Sequence, residues 1–233
     1  MKDVRGRTIK EKIPYSGIRK VIGTRMRESL DTSPQGTVMA RFDMSRAVAL
    51  RMKMAQEGKN VTYTDILIKA TCAAIKKVPI INSALLDGEI VVYETINIGV
   101  AVKVGNILVV PVVLDADKKS LLEVAADTAD AIQNARAQRF DKIIMDCATF
   151  TVNNLGMYNI EGCTPLLNPP EAAILAIGRI RKDVWVGENG NIDVRDVCTM
   201  SLTIDHSVMD GGPAGEFLSA LEEVIGSIET CID

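Results

Sequence analysis

Hydrophobic and polar residues follow two different periods along the chain, and these periods predict helices and strands. Apolar positions at helical spacing predict amphipathic helices over residues 18–33, 45–56, 64–78, 120–139 and 214–228. Strand-like runs occupy residues 37–44, 148–156, 171–180 and 197–205, and two further β-rich runs flank Gly105-Asn106 as a hairpin. Helices and strands are interleaved without a strict βαβ order, a repeat or an internal linker, which predicts one α+β domain.

Polar residues at the ends of the helical segments predict where the helices begin. Ser45 is predicted as the N-cap of the second helix, and Thr64-Asp65 is predicted to open the third. Ser120 and Glu123 have capping-box spacing before the fourth helix. The charged, aperiodic residues 1–14 predict an N-terminal tail or linker remnant, so that residues 15–233 form the single domain.

The composition excludes several classes of protein. Of the 233 residues, 47% are hydrophobic and 24% charged, which predicts a globular chain, and the net charge of −3 gives no reason to expect nucleic acid or an anionic membrane. Five cysteines without a CxxC pair predict free thiols in a reducing compartment. No apolar run approaches the roughly 20 residues of a membrane span, and the start is too polar for a signal peptide. We therefore expect a cytoplasmic protein.

Common cofactor motifs are not found in the sequence. There is no GxGxxG after a strand, no P-loop and no GxSxG elbow. A single histidine cannot supply the several imidazole ligands of common His-based metal sites, so no metal is expected. Lys118 and Lys119 precede the Ser120 cap, and we interpret them as a solvated helix entrance and not as a lipoyl-carrying site.

The one histidine lies in the stretch TIDHSVMDGGPAGEF, residues 203–217. His206 falls where the last strand ends and the last helix is about to start, a common place for a working residue because a rigid element aims the side chain. An imidazole titrates near neutral pH and can take a proton from a thiol or hydroxyl. The alternative is an ordinary loop histidine, with Asp210 as a simple N-cap.

Four blocks of the sequence resemble a known family when they are taken in order. They are IPYSGIRKVIGTRM, then INIGVAV with LVVPVV and DADKKSL, then FTVNNLGM with TPLLNPPEAAILAIGRI, and finally HSVMDG, which matches an HxxxDG signature. In this order they resemble the catalytic domain of the acyltransferase (E2) subunits of 2-oxo acid dehydrogenase complexes, which is related to chloramphenicol acetyltransferase. The resemblance implies a two-layer α+β fold like that of chloramphenicol acetyltransferase, with a large mixed sheet flanked by helices, assembled as a trimer with active sites at the subunit interfaces.

The resemblance also implies a reaction and roles for three residues. The reaction is transfer of an acetyl or short branched acyl group between the thiols of dihydrolipoamide and coenzyme A, which are substrates; no residue is assigned to binding them. His206 is the implied general base, and Asp210 holds the loop and the start of the helix. Asn153 stands where the family motif FTxSNLG has the serine that donates to the oxyanion, and Ser207 stands where the family usually has arginine. Asn153 is either a replacement donor or a turn residue that leaves the donor lost.

Two other features near the motifs are given no chemistry. Cys163 could act as a thiolate with His206, but only proximity in sequence supports this. Asn168-Pro169-Pro170 is interpreted as a structural entry into a strand.

No lipoyl or subunit-binding domain is recognised in the sequence. The chain is therefore expected to be either a fragment of a longer E2 chain, with 2-oxo acid dehydrogenase and dihydrolipoamide dehydrogenase as partners, or a free-standing coenzyme A-dependent acyltransferase. A catalytically impaired trimeric scaffold is the third alternative. For assembly we expect a homotrimer with a weak or absent cage, because only Ile228 and Ile232 could form a closing apolar contact between trimers.

Overall fold

Six helices are found in a computed structural model that describes residues 1–105, 107–187 and 189–231. They are α1 (Gly17–Thr32), α2 (Ser45–Gln56), α3 (Tyr63–Lys77), α4 (Leu121–Arg136), α5 (Gly211–Gly226) and the short α6 (Ile228–Cys231). The five helices predicted by apolar spacing are confirmed. None of the described helices is long and apolar enough to cross a bilayer.

Seven strands form the main sheet, in the order β1-β11-β9-β8-β4-β7, with β10 paired to β11 beyond the end of β9. These strands are β1 (Gln35–Asp43), β4 (Ile98–Val100), β7 (Val112–Val113), β8 (Phe150–Asn154), β9 (Ala173–Ile177), β10 (Arg181–Val186) and β11 (Ile192–Asp205). Two small hairpins lie outside it: β2 (Ser83–Leu86) with β3 (Glu89–Val92), and β5 (Val102–Val104) with β6 (Ile107–Val109). β8 runs parallel to β4 and β9, whereas the other pairs are antiparallel, so the predicted mixed sheet is confirmed.

The two faces of the sheet are covered differently. On β8, Phe150 packs against Phe217 of α5, and Asn154 donates from Nδ2 to Thr64 Oγ1 of α3 at 2.8 Å. Successive strand residues point to opposite faces, so Thr151 and Asn153 point away from these helices. The helical face is the main core, where Met200, Leu202 and Ile204 of β11 are buried. The opposite face is covered by α1 and by the chain segment between β8 and β9.

Two predicted helix caps are wrong, and one is confirmed. Met44 occupies the N-cap position of α2, while Ser45 is the first helical residue and uses its Oγ to accept from Asp196 N at 3.3 Å. Helix α3 is capped by Thr62, two residues earlier than predicted, because Thr62 and Asp65 form a reciprocal capping box. The predicted box of Ser120 with Glu123 is present at α4.

The patterns gave no sign of β2, β3 or β10, and β11 begins five residues earlier than the predicted strand. The predicted hairpin pairs Val104 with Ile107, but Asn106 at its turn lies outside the described residues.

Candidate active site

The turn that follows β11 holds His206 in place through four consecutive backbone donors. His206 N donates to Pro34 O at 2.9 Å, and Ser207 N donates to the Asp205 carboxylate at 2.8 Å. The N–H groups of Val208 and Met209 both donate to Asp205 O at 3.1 Å, and these two side chains are buried. The turn is therefore fixed from inside, and it leaves His206 exposed.

Asp210 ends the turn and begins helix α5. Its Oδ1 accepts from Gly212 N at 3.1 Å, so it is the N-cap of the helix. The helix begins at Gly211, three residues earlier than the apolar spacing predicted, because the glycines belong to its first turn. Asp210 thus ties the histidine turn to a core helix.

Asn153 lies in strand β8, so the interpretation of this residue as part of a turn is wrong. Its side chain is half-buried and points away from the helices, on the same face as Thr151. No hydrogen bond to another described residue is found for its amide. Asn153 is therefore placed on a rigid element with a donor group still available.

A cavity of about 590 Å³ opens in front of Asn153. Its wall is formed by α1, by β6 and by the segment before β9, and most of the side chains are apolar: Ile18, Val21, Ile22, Met26, Leu108, Val109, Val110, Phe140, Met145, Pro165, Leu166 and Ile174. The few polar side chains include Thr151, Asn153 and Asn168, which lie near one another at the β8 side. An apolar cavity with a few convergent polar groups is the usual form of a small-molecule site.

Polar side chains fix helix α1 to the rest of the cavity wall. Ser29 Oγ donates to Leu167 O at 2.8 Å, and Gln35 bridges the same two residues by donating to Ser29 O and accepting from Leu167 N. Arg25, which lines the cavity, donates to Asp146 Oδ1 and to Pro169 O, both at 3.1 Å. The Arg25 charge is therefore already paired, which leaves the cavity without a free cation among its described lining residues.

His206 and Asn153 are far apart within one chain. Asn153 is level with Ala176 and Ser201 across the sheet, whereas His206 follows five residues beyond Ser201. Five residues along a strand and two strand spacings across the sheet separate the two Cα atoms by about 19 Å. A general base must approach within about 3 Å of the group from which it takes a proton, so these two side chains cannot serve one reacting group from the same chain.

The other residues considered from the sequence lie outside this arrangement. Burial raises the pKa of the Cys163 thiol, which is the opposite of activation, and Cys163 N donates to Ser201 Oγ, well along β11 from His206. Lys118 pairs with Asp115, and Lys119 pairs with Asp127 at the entrance of α4, as expected for solvated lysines. No cluster of metal-ligating side chains occurs in the described part of the chain.

Sequence reasoning missed Thr151, Glu171 and the role of Asn168 in the cavity wall. The sequence pattern indicates only a structural role for Asn168, as part of the proline segment, but the residue lines the cavity. Glu171 is 4% exposed, which no local pattern indicates.

The family model for the catalytic domain of 2-oxoacid dehydrogenase acyltransferases matches residues 7–232. The chain belongs to this acyltransferase family. Among relatives, it is 36% identical over 217 residues to the dihydrolipoyllysine-residue acetyltransferase component of the acetoin cleaving system of Bacillus subtilis, covering 91% of this chain and 54% of that protein. It is 34% identical to the lipoamide acyltransferase component of the branched-chain alpha-keto acid dehydrogenase complex of the same organism, covering 94% and 53%. The chain therefore spans about half the length of these two relatives.

Solved structures agree with this family assignment. The crystal structure from a study of a serine, a histidine and an asparagine in the mechanism of Azotobacter vinelandii dihydrolipoamide acetyltransferase superposes with a TM-score of 0.90 at 28% identity, covering 99% of this chain and 96% of that one. Chloramphenicol acetyltransferase superposes with a TM-score of 0.54 at 16% identity, covering 86% and 94%, which shows a shared fold. The predicted chloramphenicol acetyltransferase-like α+β fold is confirmed.

Proposed function

We propose that the protein is a dihydrolipoamide acyltransferase that moves an acetyl or short branched acyl group between the thiols of dihydrolipoamide and coenzyme A. The observation that carries the proposal is the rigid turn that presents His206 to solvent at the end of β11. A base held by a fixed backbone and left exposed can reach a thiol bound by another subunit. The relatives named above are a dihydrolipoyllysine-residue acetyltransferase and a lipoamide acyltransferase, which indicates a lipoyl thiol as the acceptor.

His206 acts as the general base in this reaction. It takes the proton of the incoming thiol, whose pKa near 8–9 makes ionisation easy for an imidazole. The thiolate forms a bond to the thioester carbon, and the carbonyl electrons move to oxygen to give a tetrahedral oxyanion. When the carbonyl reforms, the bond to the other sulfur breaks, and the imidazolium returns its proton to the departing thiolate.

Asn153 is the proposed donor to the oxyanion. Its side-chain amide lies on a sheet strand at the cavity, where the donor does not have to reorganise as charge develops. The apolar wall of the cavity accommodates a hydrocarbon acyl group. Without a free cation in the described lining, the cavity offers nothing to pair with the carboxylate of a succinyl group, which favours acetyl and branched acyl groups.

A second copy of the chain completes the proposed site. About 19 Å separates His206 and Asn153 within one chain, so the histidine must meet the asparagine of a neighbour. Helix α1 and the segment after β8 expose large apolar side chains: Ile18, Val21, Leu30, Met157 and Tyr158. Exposed apolar side chains on this scale favour burial against another subunit. In a cyclic homotrimer, the His206 turn of one chain faces the Asn153 cavity of the next at each of the three interfaces.

We also propose that the acyl donor is a lipoyl group carried by a multienzyme complex. The relatives named above are components of such systems, and 2-oxo acid dehydrogenase and dihydrolipoamide dehydrogenase are the partners that would load and reoxidise the lipoyl group.

The two isoleucines that the sequence offers for contacts between trimers give no support to such a contact. Ile228 is fully buried within the chain, and Ile232 lies outside the described residues.

Chromatographic measurement of S-acyldihydrolipoamide and free coenzyme A, formed from acetyl-, isobutyryl- or succinyl-coenzyme A and free dihydrolipoamide, tests the activity; the products are separated because transfer between thiols leaves the total number of thiols unchanged. Transfer from the first two, with little from succinyl-coenzyme A, is expected. No transfer from any short acyl-coenzyme A by a purified assembly would favour the scaffold alternative.

Mixing two inactive variants tests the location of the site between subunits. His206→Ala and Asn153→Ala chains are refolded together in equal amounts. Random association leaves roughly a quarter of the interfaces with an intact histidine facing an intact asparagine, so activity returns to roughly a quarter of the wild-type value. A site within one chain would regain nothing, because every chain lacks one of the two residues.

A further inference from the structure

Two buried oxygen atoms beside the cavity have no hydrogen-bond partner among the described residues. They are Thr151 Oγ1 and Glu171 Oε2, on residues that are 1% and 4% exposed. The other carboxyl oxygen, Glu171 Oε1, accepts from Asn168 Nδ2 at 2.6 Å. Thr151 and Asn168 both line the cavity, so this polar group lies at the cavity wall and not in the main core.

Unpartnered oxygens in such a place require an explanation. Nearly all buried polar groups in proteins are hydrogen-bonded, and one left unpaired is costly. The Thr151 hydroxyl lies close enough to the Glu171 carboxyl to lower the pKa of that acid, although no hydrogen bond of normal length joins them. A small side-chain movement pairs these oxygens if one of the two residues donates a proton to the other. A carboxylic acid and a hydroxyl can do this in either direction.

The surroundings of Glu171 favour the neutral acid. Burial raises the pKa of Glu171 to about 7, against the smaller opposing effects of Thr151, Asn168 and Arg25. Arg25, on α1, is the cation that faces it, and that charge is already paired with Asp146. From β11 the nearest titratable side chain is Asp205, whose backbone N–H donates to Ala172 O and whose carboxylate accepts from Ser207 N.

Thr151 and Asn153 are two residues apart on one face of β8. Their Cα atoms are therefore about 7 Å apart on the face that lines the cavity, while the Thr151 hydroxyl oxygen itself is covered and reaches the cavity only after rotation of the side chain. After that rotation, an oxygen atom bound between the two residues is within reach of both. Asn153 is the donor already proposed for the oxyanion, so a hydroxyl beside it is in position to be a second donor.

We propose that neutral Glu171 is a positioning residue that donates its proton in a hydrogen bond to Thr151 Oγ1 and thereby directs the Thr151 hydroxyl hydrogen toward the acyl oxygen held at Asn153. The inference rests on the proposed acyl transfer. Thr151 touches the reacting oxygen, whereas Glu171 acts through Thr151. Ionised Glu171 reverses the hydrogen bond, since it can only accept, and turns the Thr151 hydrogen away from the cavity. It also adds a negative charge close to a developing oxyanion, which raises the barrier.

The pH dependence of turnover, expressed as a ratio, tests the proposal. Glu171→Gln keeps a neutral donor at every pH, while His206 and the substrate thiol contribute equally to both enzymes. The ratio of wild-type to Glu171→Gln kcat for transfer from acetyl-coenzyme A to dihydrolipoamide is expected to fall about tenfold between pH 6 and pH 8. A ratio that stays constant over this range would overturn the proposal.

Three further variants separate positioning from a merely structural role. Thr151→Val should lower kcat with little change in KM, because the hydroxyl acts on the transition state, and Thr151→Ser should restore it. Asp65→Asn is the matched control: burial also raises the pKa of Asp65, but that residue lies in the capping box of α3. The ratio of wild-type kcat to Asp65→Asn kcat should not vary with pH. Equal kcat for Thr151→Val and wild type at pH 6 would contradict a donor role for Thr151.

Infrared spectroscopy gives a readout that does not depend on activity. At pH 6 the wild type should show a protonated carboxyl band that is lost in Glu171→Gln and shifted in Thr151→Val. If no acyl transfer is found in the wild type, the proposed function fails, and the band alone decides whether the Glu171–Thr151 pair exists. If transfer is found but the band is absent, the acyl-transfer proposal stands and the Glu171 inference is wrong.

Discussion

The turn after β11 and the cavity beside β8 differ in whether their polar groups have hydrogen-bond partners. In the turn, four consecutive N–H groups are paired, and the exposed His206 side chain has no hydrogen-bond partner among the described residues. At the cavity, the backbone is part of a sheet, and the groups without a partner among the described residues include the Asn153 amide and the buried oxygens of Thr151 and Glu171. All four backbone donors of the turn are therefore paired, and the turn presents its imidazole to solvent. The polar groups of the cavity, in contrast, find all their partners only when a ligand occupies it.

This difference explains why neither region is an active site by itself. The turn has a base but no pocket, and the cavity has a pocket and donors, but the carboxylate in its described lining, Asp146, is paired with Arg25. The two regions lie about 19 Å apart on the same sheet. Association of identical chains would bring the base on the turn of one chain to the cavity and donors of another.

Loss of the imidazole should remove most of the activity without affecting the fold. We expect His206→Ala to lower kcat by about 10²–10⁴-fold, the usual contribution of a positioned general base. Because the side chain is exposed, the free energy of unfolding should change by less than about 0.5 kcal/mol. Turnover assays and denaturant unfolding check the two parts. A large loss of stability would show that the imidazole belongs to the scaffold, which would break the comparison.

Changes at Asn153 should separate a donor from a mere occupant of the cavity wall. Asn153→Ala is expected to raise the barrier by about 2.7–4 kcal/mol, as for other single oxyanion donors. Asn153→Ser, which restores the residue type of the family motif, should preserve or raise kcat. Steady-state kinetics on all three enzymes provide the measurement. Equal activity in the three would place the donor elsewhere and leave Asn153 without a chemical role.

The sequence predicted the turn better than the cavity, for a physical reason. His206, Asp210 and the strand and helix beside them are contiguous, so their arrangement follows from local periodicity and capping. The cavity is assembled from α1, β6, β8 and the segment before β9, which are distant in sequence. Glu171 illustrates the limit: its burial depends on neighbours such as Arg25, 146 positions earlier, and no local pattern carries that information.

The same distinction applies to the secondary structure. Long amphipathic helices such as α4 were predicted within a few residues, because one apolar face repeats over several turns. The short edge pairs β2–β3 and β10–β11 were missed or shortened. Their exposed valines and isoleucines, such as Val184 and Val194, have no buried face to set a period of two.

Stability should depend on pH through Glu171, on the cavity side of the comparison. Burial raises the pKa of this acid from 4.5 to about 7, so between these values the folded state binds more protons than the unfolded state. Stability must then fall as the pH rises from 4.5 to 7, by at most about 3 kcal/mol, and the loss is complete above 7. Denaturant unfolding of Glu171→Gln at pH 5 and pH 8 should lack this loss. Parallel pH profiles for variant and wild type would show that Glu171 is ionised in the folded protein.

The smallest expected effect concerns Asp210, on the turn side. Its carboxylate caps α5 through Gly212 N, so Asp210→Ala should cost about 1 kcal/mol of stability, as for other N-caps. Asp210→Asn keeps the accepting oxygen and should cost a few tenths at most. Since Val208 and Met209 still anchor the turn in the core, kcat should fall only a few-fold in the alanine variant. Thermal unfolding and turnover of both variants check this. A loss of activity as large as that of His206→Ala, at unchanged stability, would mean that Asp210 takes part in the chemistry, and the turn would no longer be a scaffold with one reactive group.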